Sequence, residues 1–136
     1  MNPEQVVFYI MRLPGVAGCF IVDDEGLKKA SHLPPDFGDE VIFGMATDGI
    51  DAMETFKSEI PGANELRLDI ESIVILVRVL QNHLLFVFID ETAEVSAIRT
   101  GAGVCAKRYD PEGVEAASKP MSMSEILAKA AFDQEK

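Results

Sequence analysis

Two apolar runs separated by three polar residues constrain this chain more than anything else in it. Ser72 to Leu80 is apolar on both alternating parities apart from Arg78, and so is Leu84 to Ile89, with Gln81-Asn82-His83 between them as a hairpin. A strand with one face in water alternates apolar with polar, so strands apolar on both sides belong in the middle of a sheet packed on each face. The chain must therefore provide helices for two faces of one sheet. A third run, Val16 to Val22, behaves alike, with Ala17, Cys19 and Ile21 on one parity and Val16, Phe20 and Val22 on the other.

The edges are also legible. Leu27 to His32 follows the turn Asp23-Asp24-Glu25-Gly26 and is polar enough, with Lys28, Lys29, Ser31 and His32, to border the sheet. Leu66, Leu68 and Ile70 alternate with Glu65, Arg67, Asp69 and Glu71, the period-two pattern of a half-buried strand. Hairpins then join strands 1 to 2, 3 to 4 and 4 to 5. The order 2-1-5-4-3 satisfies both burial and connection.

Three helices are available to cover it. Asn2, Pro3 and Gln5 form a capping box ahead of Val6, Val7, Ile10, Met11 and Leu13. Gly38 to Ile60 reads as one long helix with Ile42, Met45, Ala46, Gly49, Met53, Phe56 and Ile60 on its apolar face. At about 100° per residue, Val41 and Ala52 widen that arc on one flank, and Phe43 and Ile50 widen it on the other. One sheet needs less than this, so the surplus suggests a second surface. Asp90 or Thr92 can cap the last helix, whose stripe is Val95, Ile98, Ala102, Cys105 and Tyr109. Gly101 and Gly103 are expected to let it approach the sheet closely. The expectation is an α/β domain over residues 1–110: a single five-stranded antiparallel sheet, the long second helix on one face, the first and third helices on the other. Residues 111–136 read as a polar linker and a short amphipathic C-terminal tail helix carrying Met123, Ile126, Leu127 and Ala130.

A net charge of −11 argues against binding nucleic acid through its phosphates. No stretch reaches the roughly 18 apolar residues of a membrane span, so no membrane insertion and a cytoplasmic location are expected. Cys19 and Cys105 sit in apolar segments and read as buried thiols. His32 and His83 lack companions at ligand or triad spacing. Asp36-Phe37-Gly38 has no phosphate loop with it, Gly101-Ala102-Gly103 lies in mid-helix, and Asp23, Asp24 and Glu25 lack the alternation of a calcium loop. No enzyme, metal or cofactor is expected. On the outer face of the long helix Glu40, Asp48, Asp51 and Glu54 form either a solvated surface or a partner-binding surface for a basic patch.

Leu13-Pro14-Gly15-Val16-Ala17-Gly18, an apolar strand, and then Val22-Asp23-Asp24-Glu25-Gly26-Leu27 resemble the opening of the Roadblock/dynein light chain family, in its MglB-like branch. The order of elements to Tyr109 follows the same plan. The resemblance implies a homodimer joined through the second helix and third strand, with the two sheets continuous. Its contacts would fall on Ile42, Phe43, Ile50 and Met53 and on Leu66, Leu68 and Ile70. It also implies a non-enzymatic regulator of a Ras-like small GTPase, a GTPase activator of the MglB kind that rearranges the partner's own catalytic residues. The GTPase-facing surface would include the exposed side of the long helix. Arg12, Arg67, Arg78, Arg99 and Arg108 lie on regular elements, so no arginine finger is offered. The alternative is a scaffold dimer, dynein light chain-like, without effect on nucleotide turnover.

Overall fold

The structure, a computed structural model, describes residues 1–70 and 72–111, with the backbone alone at Ile70. The expected linker and tail helix lie outside the described residues. The elements run α1 (Pro3–Met11), β1 (Val16–Val22), β2 (Lys28–His32), α2 (Asp39–Glu59), β3 (Glu65–Ile70), β4 (Ile73–Leu80), β5 (His83–Asp90) and α3 (Val95–Arg108). One antiparallel sheet takes the order β2-β1-β5-β4-β3.

Parity sorts the core into two layers. On one face Cys19, Ile21, Leu76, Leu85 and Val87 pack with Val6 and Ile10 of α1 and Ile98, Ala102 and Cys105 of α3. On the other, Phe20, Val22, Ile75, Val77 and Phe86 pack with Ile42, Ala46 and Met53 of α2. The sandwich expected from the doubly apolar strands is the one observed.

Local chemistry sets most boundaries as read. The Asn2 carboxamide accepts from the Gln5 amide at 2.9 Å while the Gln5 side chain accepts from the Asn2 N–H, so both ends of the capping box are closed. The first hairpin is held by Asp23, whose Oδ1 accepts the N–H groups of Glu25 and Leu27. Gly26 takes φ +87° there, a conformation other residues resist.

Three expectations need correction. Neither Asp90 nor Thr92 caps α3: the helix begins behind Glu94, which makes no side-chain cap, and Asp90 Oδ1 instead binds the N–H and hydroxyl of Thr92 in a turn. Gly101 admits α1, not the sheet, since a Cβ there would meet Leu13 and Tyr9; Gly103 has open space around it. The β4–β5 loop is two residues, Gln81-Asn82, with His83 paired to Leu80 as the first residue of β5.

Candidate interaction surfaces

Helix α2 presents four sectors. Ile42, Ala46, Gly49 and Met53 form the buried line. Gly49 is required there because a Cβ would collide with the ring of Phe86, which is itself stacked on Phe20 at 4.6 Å. Of the helix residues expected in a dimer interface, Ile42 and Met53 are each only 3% exposed and serve their own sheet. Phe43 is 50% exposed and flanks Gly26 of the first hairpin. Ile50 is half-buried over a depression shared with Asp24, Glu54, Lys57 and His83. On the opposite flank Val41, Met45, Ala52 and Phe56 recur at helical spacing; Val41 is 45% exposed and the others are half-buried. Their spacing made this stripe readable in the sequence, yet only Val41 and Ala52 stand out there as surplus.

Glu40, Asp48, Asp51 and Glu54 are all exposed on the remaining sector. None of them forms an ion pair with another described residue. They give α2 an uncompensated acidic surface in solvent.

The two sheet edges differ. Along β2, Lys28 bonds Asp39 at the start of α2, and Lys29 lies 3.8 Å from Asp23. Along β3, Leu66 and Leu68 share the α2 side, with Leu66 half-buried and Leu68 38% exposed. Ile70 has their parity and pairs with Ile73. On the other side Glu65 accepts from both Arg78 of β4 and Arg99 of α3, while Arg67 bonds Asp69 two residues along at 3.1 Å.

Titratable groups inside the fold are held in fastening roles. The Tyr109 hydroxyl and His83 Nδ1 lie 2.6 Å apart, and the Gln81 side-chain amide donates to the Tyr109 carbonyl. Desolvation, with the nearby Lys29 charge, holds His83 below its ordinary value against the opposing pull of Asp23 and Asp24. Burial pushes the Cys19 thiol up to about 12 and Cys105 up to about 11, so both are unreactive thiols at neutral pH. Among the described residues no group of His, Cys, Asp and Glu could hold a metal ion, and no helix is long and apolar enough to cross a membrane. A groove of about 490 Å³ between α1 and β2 is lined by Phe8, Met11, Arg12 and His32, with the Arg12 guanidinium 5.5 Å above the Phe8 ring.

An open 2-1-5-4-3 sheet with α2 alone on one face and α1 with α3 on the other is the Roadblock/LC7 fold. A Roadblock/LC7 domain from Streptomyces avermitilis superposes with a TM-score of 0.64 at 16% identity, over 79% of this chain and 94% of that one. The architecture is also MglB-like. The gliding protein MglB of Thermus thermophilus matches at TM-score 0.61 and 16% identity, over 75% of this chain and 81% of its own. Myxococcus xanthus MglB matches at 0.63 and 11%, over 77% and 85%. At these identities the likeness is one of fold. No family model and no curated protein matches the sequence.

Proposed function

We propose that this chain is a cytoplasmic, homodimeric, MglB-like regulator that binds a Ras-like small GTPase and alters its nucleotide cycle without donating a catalytic residue. The observation that carries the reading is the MglB-like architecture over three quarters of the chain, joined to the opening motif from Leu13 to Leu27 that carries the MglB-like resemblance. The acidic sector Glu40, Asp48, Asp51 and Glu54 is the surface for a basic patch on the GTPase. Electrostatic complementarity of this kind governs encounter rate and salt dependence more than final affinity.

The dimer surface comprises the exposed flanks of α2, including Phe43 and Ile50, and the β3 row Leu66, Leu68 and Ile70. Ile42 and Met53 support it from beneath. An isologous pairing through these elements would cover apolar side chains that a monomer leaves in water.

GTP turnover by a Ras-like GTPase encoded beside this protein, measured with and without it, tests the function. A changed rate supports it. Binding with unchanged turnover transfers the reading to a scaffold dimer, and absence of binding to that GTPase overturns the GTPase reading. Ile50→Glu is expected to lower the mass in solution towards monomer; an unchanged mass counts against this flank.

A further inference from the structure

We infer that, in the dimer, β3 of one copy pairs antiparallel with β3 of the other about a two-fold axis at Leu68, so that each Arg67 meets Asp69 of the second copy. This rests on the dimer reading above and adds the register that selects the partner. Residues directly opposite in an antiparallel pair share a face of the sheet. A two-fold axis then leaves few alignments, and the charges along Glu65-Leu66-Arg67-Leu68-Asp69 discriminate among them.

An axis at Arg67 sets Arg67 against itself and Glu65 against Asp69, opposing like charges at every charged position. An axis at Asp69 brings the two Asp69 carboxylates together. Both are disfavoured, since like charges directly opposite destabilise a strand pair. An axis at Leu66 asks Glu65 to bind Arg67 of the second copy, but Glu65 already holds Arg78 with one oxygen and Arg99 with the other. It also places Leu68 opposite Asn64. An axis between two residues puts Leu68 opposite a charged residue and forces it to the wrong face.

The axis at Leu68 avoids these clashes within the strand; its one like-charge opposition is Glu65 against Glu71, just past the end of β3, where Glu65 is already held by Arg78 and Arg99. Leu68 meets its own copy, the Leu66 position meets that of Ile70, and two Arg67–Asp69 pairs form across the seam. The groups that must rearrange are free to do so. Arg67 and Asp69 are 50% and 65% exposed and bonded only along their own strand, so exchanging that bond for the one across the seam disturbs no buried contact. The other edge offers no such match: β2 carries Lys28 and Lys29 side by side, each engaged within its own chain, and only Ala30 as an apolar residue.

The test uses the full chain with Arg67→Asp and Asp69→Arg prepared separately under different tags. Each variant alone opposes like charges twice, and its dimer is expected to weaken at least tenfold by analytical ultracentrifugation. Mixed in equal amounts, the two variants complement at both seam positions and should form a dimer holding one of each, seen by native mass spectrometry. A mixture that stays monomeric while the unchanged protein is dimeric overturns the register and leaves the dimer standing. Oxidative cross-linking gives a second reading, because a directly opposed pair lies within disulfide range. Leu68→Cys should link to its own copy and Leu66→Cys should not; the reverse overturns the axis. A monomeric unchanged protein at all accessible concentrations sinks both dimer and register.

Discussion

On the α1/α3 side of the sheet, two helices close over Cys19, Ile21, Leu76 and Val87, and at the margin Glu65 is shared between Arg78 and Arg99. On the α2 side a single helix lies over Phe20, Val77 and Phe86, and its flanks leave Val41 and Phe43 about half exposed. Both layers are equally apolar at their centres. They differ in how many helices share the work. Exposed apolar residues remain on both sides, Phe8 of α1 and Val104 of α3 on the two-helix side. Only on the α2 side do they flank a single helix next to the apolar row of an edge strand. A surplus of this kind marks an interaction surface better than overall hydrophobicity does.

The comparison can be broken most directly from the closed side. Ile98 is 1% exposed between α3 and the sheet, and Ile98→Ala should cost about 2–5 kcal/mol. Because Ile98 is itself buried and takes no part in the proposed seam, the loss in urea unfolding should be the same at low and high protein concentration. A concentration-dependent loss would mean that the closed face also carries an interface.

A smaller effect is expected under α2. Gly49→Leu drives a side chain into Phe86 and should destabilise by roughly 1–3 kcal/mol. Gly44 on the same helix faces open space, with nothing within 4 Å of where a methyl group would sit. Gly44→Ala should therefore stabilise by about 0.5–1 kcal/mol, the helix-propensity difference between the two residues. Opposite signs in thermal unfolding would sharpen the assignment of buried and open sectors; equal signs would blur it.

The smallest effect is one of pH. The folded chain holds His83 below its ordinary 6.5, chiefly by desolvation, so protonation favours the unfolded chain, which binds more protons in this range. The stability contributed by neutral His83 is fully present above pH 6.5 and declines as pH falls below it. A melting series between pH 7 and 5 should show this decline, and His83→Gln, which can still accept a hydrogen bond, should flatten it. At Asp23 desolvation is outweighed by the Leu27 and Glu25 amides and Lys29, which together lower the carboxylate; its loss of stability comes below its ordinary 3.8 and does not overlap.

The strand order and both edges were legible because burial on both parities, or on one, is written directly into residue alternation. Val74 to Val77 and Leu84 to Ile89 needed no knowledge of their neighbours. The start of α3 was not legible: an Asp beside a Thr favours a turn and a cap by the same local hydrogen bonds, and only the observed bonds of Asp90 decide between them. Periodicity found the apolar arc of α2 but could not say which part its own sheet would use; Ile42 and Met53, which the family resemblance implies as dimer contacts, are buried against their own sheet. The His83–Tyr109 bond joins residues 26 positions apart, and no local spacing announces it. The acidic sector was readable residue by residue, because a polar helix sector needs only the helical period.

Gln81 sits in the two-residue hairpin with φ +54°, a left-handed conformation that glycine would adopt more readily. What keeps glutamine there is its reach, since the side-chain amide holds the Tyr109 carbonyl just beyond α3. The tip of one hairpin thus fastens the end of α3. Lengthening that loop by a residue would carry Gln81 away from Tyr109 and release the end of α3 from the hairpin. Loop length at this hairpin is therefore a setting for how firmly the last turn of α3 is held.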